Sequence, residues 1–115
     1  MPKRERTRRH LQVGEALKRR LAELVAEGIF RTSVSEPFSI TEVRPSGAYE
    51  TAVVFVSSAD FAKLPLIVEK LNAIAGRVRF ELAQTAELRS TPKLIFKADG
   101  SDEYAERIEH LLESV

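Results

Sequence analysis

The sequence contains no cysteine, which excludes disulfide bonds, thiolate zinc sites, iron–sulfur clusters and cysteine nucleophiles. It also contains no apolar run that approaches the ~20 residues a helix needs to cross a bilayer. The basic start lacks the apolar stretch and the small-residue cleavage site of a secretory signal. We therefore expect a protein of a reducing compartment, the cytoplasm, with no membrane partner.

Residues that carry catalytic chemistry are also scarce. The five glycines form neither a P-loop nor a dinucleotide-binding fingerprint. His10 and His110 stand near opposite ends of the chain without ligand spacing, and we interpret both as solvated helix residues. Asp99, Asp102 and Glu103 lack the alternating oxygen ligands of a calcium loop, and we interpret them as the capped start of a helix. The sequence therefore predicts no enzyme, no metal site and no cofactor.

The 115 residues suit a single domain, and their formal net charge is only +1. The charge is unevenly distributed along the chain. Residues 1–20 carry eight bases against two acids, whereas residues 99–115 carry six acids against one base. Residues 63–97 carry seven bases and three acids. A basic front suggests an anionic partner.

Apolar residues at helical spacing predict the helices. A first amphipathic helix, ended by Gly28 as its C′ residue, is indicated by Val13, Leu17, Leu21, Leu24 and Val25. A second stripe starts with Asp60 as N-cap, places Pro65 in a first turn and runs across Gly76. Because a glycine inside a helix costs ~1 kcal/mol relative to alanine, we predict two helices joined at a kink.

Residues typical of strands predict a β-hairpin and a third strand. The hairpin joins Phe38–Arg44 to Thr51–Val56 through a turn at residues 45–47, and the third strand spans Lys93–Ala98. The second hairpin strand is apolar on both faces, so we expect both faces to be covered. A last helix is predicted after Ser101.

This element order, with a glycine at the joint between two helices, is similar to a KH-like domain of the bacterial type. KH modules clamp the nucleic-acid backbone at a GXXG loop, whereas residues 72–77 read Asn-Ala-Ile-Ala-Gly-Arg. The variation resembles the ribosome-binding factor A family, in which an Ala-x-Gly kink replaces GXXG, although the first kink alanine is Ile74 here. The similarity runs from Arg8 to Leu112. It ends on a stretch with the family's spacing: Asp99, Ser101, Glu103, Arg107, Ile108, Leu111 and Leu112.

The resemblance implies an α+β KH-like type II fold, α-β-β-α-kink-α-β, with a three-stranded sheet and a C-terminal helix. We expect a basic N-terminal arm at 1–10, a KH-like RNA-binding domain at 11–98 and an acidic C-terminal helix at 99–115. The implied partners are small-subunit (16S) rRNA and the free or immature small ribosomal subunit, bound by a monomer. The resemblance further implies support for 5′-end processing of precursor rRNA and importance in the cold.

The candidate RNA-binding residues lie at the kink, in the basic front and near the third strand: Arg8, Arg9, Lys18, Arg19, Lys70, Asn72, Gly76, Arg77, Arg79, Arg89 and Lys93. We interpret Phe38, Phe55, Phe61 and Phe96 as core residues. Without exposed aromatics, base-specific reading of single strands should be limited. The alternative is a protein-interaction module that uses the acidic terminal helix and the second sheet face and does not bind RNA directly.

Overall fold

The computed structural model describes residues 8–85 and 90–100. The described elements confirm the predicted order, with one 3₁₀ turn added at Phe61–Lys63: α1 (Arg8–Ala26), β1 (Ser39–Pro45), β2 (Thr51–Ser57), α2 (Leu64–Ala73), α3 (Ala75–Thr85) and β3 (Lys93–Ala98). Because α1 begins at Arg8, the last three residues of the predicted arm are helical. The predicted C-terminal helix lies outside the described residues.

The three strands form one sheet in the order β1-β2-β3. β1 and β2 pair antiparallel as a hairpin, with Val43 opposite Val54 and an irregularity in register between Ile40 and Glu42. β3 pairs parallel to β2, with Phe96 also opposite Val54. A parallel pair requires a crossover connection. The two helices α2 and α3 supply it, which is why they end up against β3.

The core lies between the sheet and the three helices. Ala52, Val54 and Val56 of β2 have no exposed surface, and Leu94 and Phe96 of β3 join them on the same face. The helices contribute leucines, isoleucine and valine to the same cluster: Leu17, Leu21, Leu24, Leu64, Ile67, Leu71, Val78 and Leu82. Alternation along the strands places every second residue on the opposite side, which we call the outer face.

The outer face is only half-buried. Val53 and Phe55 keep part of their surface exposed, and Ile95 is 37% exposed. Among the described residues, the elements that pack on the sheet cover only the other face. The residues of β2 therefore divide between the two faces as predicted. No described element packs on the outer face, so the expected burial of both faces is not seen among the described residues.

Two glycines fix the position of α1. Gly28 has a φ of +87° and follows the helix as its C′ residue, with the N–H of Ile29 donating to the carbonyl of Leu24 at 3.2 Å. Gly14 lies where α1 crosses β1, and a Cβ there would collide with the backbone oxygen of Val43. The predicted helix end is confirmed, whereas the need for glycine at position 14 was not foreseen.

His10 is not the solvated residue that the sequence suggested. Its ring stacks on Tyr49 with centroids 4.5 Å apart and planes 7° from parallel, and Nε2 lies 3.2 Å from the carbonyl oxygen of Gly47. Tyr49 has a φ of +62° in the hairpin loop. His10 therefore packs the first turn of α1 against the tip of the hairpin. The interpretation was wrong because helical periodicity does not indicate a contact between residues 37 positions apart in sequence.

The start of α2 also differs from the prediction. Asp60 precedes the 3₁₀ turn in an extended conformation and makes no side-chain capping hydrogen bond. The N-cap position of α2 belongs to Lys63, and Pro65 lies in the first turn of the helix as expected. The 3₁₀ turn Phe61–Lys63 therefore separates Asp60 from the N-terminus of α2, which Asp60 was predicted to cap.

Candidate nucleic-acid interface

The predicted joint between two helices is confirmed, and the interruption lies at Ile74. This residue has φ −109° and ψ 12°, outside the α-helical range, and separates Ala73 of α2 from Ala75 of α3. Its N–H donates to the carbonyl of Leu71 at 3.1 Å, and its own carbonyl accepts from Val78 at 3.0 Å. The sequence had associated the interruption with Gly76, which instead lies in the first turn of α3.

The interruption leaves backbone donors unpaired at the start of α3. The N–H groups of Ala75, Gly76 and Arg77 have no backbone acceptor among the described residues. Gly76 and Arg77 are exposed, and the first turn contains no acidic residue. Because the first N–H groups of a helix carry partial positive charge, this turn presents unpaired donors where an anion would be stabilised.

The described part of the fold does not require glycine at position 76. A Cβ built there would meet no atom of the described residues within 4 Å. Its backbone is not among the described glycines with positive φ, which are Gly28 and Gly100. A glycine that the free protein does not need leaves a flat, open surface beside the unpaired N–H groups.

The two arginines after the kink differ in their contacts. Arg77 is exposed and has no hydrogen-bond or ion-pair partner within the part of the chain that is described. Arg79 donates from Nε to the carbonyl oxygen of Thr91 at 3.0 Å. Arg79 therefore ties α3 to the segment that leads into β3, although its side chain is also largely in contact with solvent.

Lys70 forms an ion pair. Its Nζ donates to both carboxylate oxygens of Glu36, each at 3.0 Å. Hydrogen bonding to this ammonium group is the main reason that the pKa of Glu36 lies below its ordinary value. The Glu36 side chain is only 14% exposed. The charge of Lys70 is therefore locally balanced, and its attraction for a polyanion is reduced.

Asn72 binds the backbone of β3. Its amide donates to the carbonyl oxygen of Phe96 at 2.9 Å and accepts from the N–H of Phe96 at 2.8 Å. Both groups lie on the side of β3 that does not pair with β2, since the neighbouring odd-numbered residues Lys93 and Asp99 donate toward β2. Asn72 thus holds the end of α2 against the sheet edge, which positions the kink.

The other predicted residues lie elsewhere. Lys93 is exposed on the outer face, opposite the buried Leu94, so the sheet separates it from the kink. Arg8, Arg9, Lys18 and Arg19 lie on α1, which packs against β1, while α2 and α3 pack against β3. Arg89 lies outside the described residues. Among the described residues, Lys70, Asn72, Gly76, Arg77 and Arg79 lie on the two helices that meet at the kink, whereas Arg8, Arg9, Lys18, Arg19 and Lys93 lie on other elements.

The sequence analysis missed Phe80. This aromatic side chain is 63% exposed, the largest value among the large hydrophobic residues of the described chain. Phe80 lies two positions after Val78 and therefore outside the apolar stripe of α3. This position is the sequence signal that could have identified the ring as exposed. Phe55 is also not a core residue, because it lies on the outer face beneath the guanidinium of Arg44, 5.0 Å from the ring centroid. The expectation that no aromatic is exposed is wrong.

The described residues offer neither a metal site nor a membrane span. They contain no group of three or more histidine, aspartate or glutamate side chains placed to hold a metal ion. Among the same residues, no helix combines the length and the apolar character of a membrane span.

Comparison with known proteins identifies the family. The family model of ribosome-binding factor A matches residues 9–112 of this chain. The chain belongs to the ribosome-binding factor A family. A ribosome-binding factor A from Parvibaculum lavamentivorans is 30% identical over 110 residues, which are 94% of this chain and 79% of that protein. Another from Gloeothece citriformis is 37% identical over 108 residues, 91% of this chain and 82% of that protein.

Solved structures of ribosome-binding factor A share the fold. The crystal structure from Thermus thermophilus matches with a TM-score of 0.66 and 21% identity over 77% of this chain and 94% of that chain. A homology model of Thermus thermophilus ribosome-binding factor A, fitted into a cryo-EM map of a 30S complex, matches with a TM-score of 0.58 and 22% identity over 76% of this chain and 91% of that chain. These similarities confirm the predicted α+β, KH-like fold.

Proposed function

We propose that this protein binds small-subunit rRNA at the α2–α3 kink and thereby assists late maturation of the small ribosomal subunit. The observation that carries the proposal is the first turn of α3, where N–H groups and an arginine without partners among the described residues lie together with an open glycine on the surface. KH modules bind the nucleic-acid backbone at the equivalent joint between two helices.

The residues around the kink fall into two roles under this proposal. Gly76 and Arg77 contact the RNA, because the glycine permits close approach of a phosphate and a guanidinium binds phosphate through two parallel hydrogen bonds. Asn72 and Arg79 position the joint through their bonds to Phe96 and Thr91. Lys70 adds a weaker long-range attraction because Glu36 balances its charge. The bases of α1, together with Arg89 and Lys93, remain candidates for contacts away from the kink.

The proposed action involves no covalent step. A protein that binds one rRNA arrangement better than another shifts the population toward it, by as much as the difference in the two affinities. Such a shift on an immature subunit would expose the precursor 5′ end to processing enzymes. It would also matter most in the cold, where misfolded RNA arrangements rearrange slowly. The partner is then a free or immature small subunit in the cytoplasm, bound by one copy of the chain. A relative from Thermus thermophilus has been placed in a 30S complex, which supports this proposal.

The test is the salt dependence of binding to fragments of small-subunit rRNA. The binding constant should fall as the salt concentration rises. In a plot of the logarithm of the binding constant against the logarithm of the salt concentration, each phosphate contact to a single strand should contribute a slope of about −0.7. Arg77→Glu should weaken binding and reduce the slope. Arg31→Glu is the matched control, since Arg31 is exposed, lies outside the kink and changes the net charge equally. The proposal predicts a small effect for this control.

Binding that is undetectable, or insensitive to salt, would favour the alternative of a protein-interaction module. That alternative would use the outer face, where Arg44, Lys93 and Lys97 surround Phe55 and Ile95. Equal losses of affinity for Arg77→Glu and Arg31→Glu would also count against the kink, because net charge would then explain the binding.

A further inference from the structure

Phe80 points away from the core of the protein. Successive helical residues are rotated by about 100°, so Phe80 lies roughly 200° from Val78 around α3. Val78 is 1% exposed and Leu82 is fully buried, whereas Phe80 is 63% exposed. The fold therefore gains little from this ring. A large aromatic side chain held outward on a rigid helix is available to a ligand.

The surroundings of Phe80 indicate which ligand. Gly76 lies one turn earlier on the same side of α3, and Arg77 lies three residues earlier. Side chains on a helix lean toward its N-terminus, so the ring of Phe80 extends over the turn that contains Gly76 and Arg77. That turn carries the unpaired N–H groups of the kink. Gly76, Arg77 and Phe80 thus lie within four residues of each other, a rise of about 6 Å along α3.

The exposed side of α3 is formed by Gly76, Arg77, Phe80, Ala83 and Gln84, with Arg77 as its charged residue. The helix's one carboxylate, Glu81, is half-buried and follows Arg77 by one turn, and no ion pair joins the two among the described residues. A nucleotide offers an anionic phosphate and a flat base joined by a short sugar link, which matches this pairing of donors with an aromatic face. An apolar protein segment would use the ring but leave the N–H groups and Arg77 unpaired.

We propose that Phe80 is a stacking platform for an unpaired base of the nucleotide whose phosphate lies at Gly76 and Arg77. This inference rests on the proposed function and adds a binding residue to the same site. Base–aromatic stacking tolerates any sequence because every base has a π face. The protein would then select single-stranded over fully paired rRNA at this point without reading a particular base.

The experiment compares Phe80→Ala, Phe80→Leu and Phe80→Trp for binding to overlapping single-stranded fragments of small-subunit rRNA. Loss of one base–aromatic stack should weaken binding between about 5-fold and 150-fold in Phe80→Ala. Phe80→Leu should lose nearly as much, because it keeps an apolar side chain without a π face, and Phe80→Trp should retain the affinity. The salt slope should stay that of the wild type in all three variants, since no charge changes. The fluorescence of a 2-aminopurine base placed in the tightest-binding fragment should be quenched by the wild type and not by Phe80→Ala.

Leu66→Ala serves as the matched control. Leu66 is also an exposed apolar residue, at 44%, but it lies near the start of α2 and away from the kink. Wild-type affinity in this control is expected. Thermal unfolding of Phe80→Ala should also match the wild type, because surface substitutions usually change stability by no more than about 0.5 kcal/mol. A large drop in melting temperature would mean that the ring packs within the fold, and it would overturn the inference.

The inference can fail while the proposed function stands. Salt-dependent RNA binding with Phe80→Ala equal to the wild type would overturn the stacking role and leave the kink as a phosphate site. Wild-type affinity in Phe80→Leu together with a loss in Phe80→Ala would also overturn the stacking role, because an apolar side chain without a π face would then be enough for the RNA contact. If the wild-type chain binds no fragment and no small subunit, both the stacking role and the proposed function are wrong.

Discussion

The same substitution at two helical glycines should change stability in opposite directions. Gly14→Ala adds a methyl group that collides with the backbone oxygen of Val43. Gly76→Ala adds a methyl group with no atom within 4 Å. Both variants gain helix propensity, up to about 1 kcal/mol for glycine to alanine. Only Gly14→Ala must also move a helix away from a strand.

The magnitude follows from these two contributions. Overpacking a close contact typically costs about 1–3 kcal/mol, and a backbone oxygen cannot rotate away as a side chain can. Gly14→Ala should therefore be destabilised by up to roughly 2 kcal/mol after the propensity gain of about 1 kcal/mol is subtracted. Gly76→Ala should be stabilised by up to about 1 kcal/mol. The difference between the two variants isolates the α1–β1 contact, because most of the propensity contribution cancels.

Urea denaturation followed by circular dichroism provides the measurement. The dependence of the unfolding free energy on urea should be unchanged in both variants, which would show that only stability has changed. In thermal unfolding, 1 kcal/mol corresponds to a shift of about 4 °C for a domain near this size. Stability of Gly14→Ala equal to or above that of Gly76→Ala would refute the close contact. A destabilised Gly76→Ala would refute the open space at the kink.

Three further outcomes are expected from the residues around the kink. Gly76→Ala should weaken rRNA binding several-fold despite its greater stability, and unchanged affinity would mean that no RNA backbone approaches closely there. Asn72→Ala should lose roughly 1–3 kcal/mol of unfolding free energy in urea, because it removes two hydrogen bonds to Phe96 worth about 0.5–1.5 kcal/mol each, and no loss would contradict that bracing role. The pKa of Glu36 is lowered in the folded state, so the native protein binds fewer protons than the unfolded chain and should lose stability as pH falls below the ordinary value of 4.5. Glu36→Gln should make this acid dependence shallower, and an identical dependence in both proteins would exclude the ion pair with Lys70 as a cause.

The sequence predicted most of the fold because its signals are local. Apolar spacing identified α1 and the stripe of α2 and α3, and turn residues identified the hairpin. A glycine in αL conformation ended α1 where expected. The same reasoning failed at the caps and close contacts. It could not distinguish Gly14, which a neighbouring strand requires, from Gly76, which no contact in the described part of the chain requires.

The candidate site was predicted as a set of residue types rather than as a geometry. The sequence by itself determined that a joint would interrupt the second apolar stripe and that basic residues would follow it. Only the tertiary structure decided that Ile74 forms the interruption, that Glu36 balances Lys70, and that Phe80 is exposed. The physical reason is distance along the chain. Periodicity and turn chemistry act over a few residues, whereas the partners of Lys70 and Asn72 lie 34 and 24 positions away and meet them only after the sheet has formed.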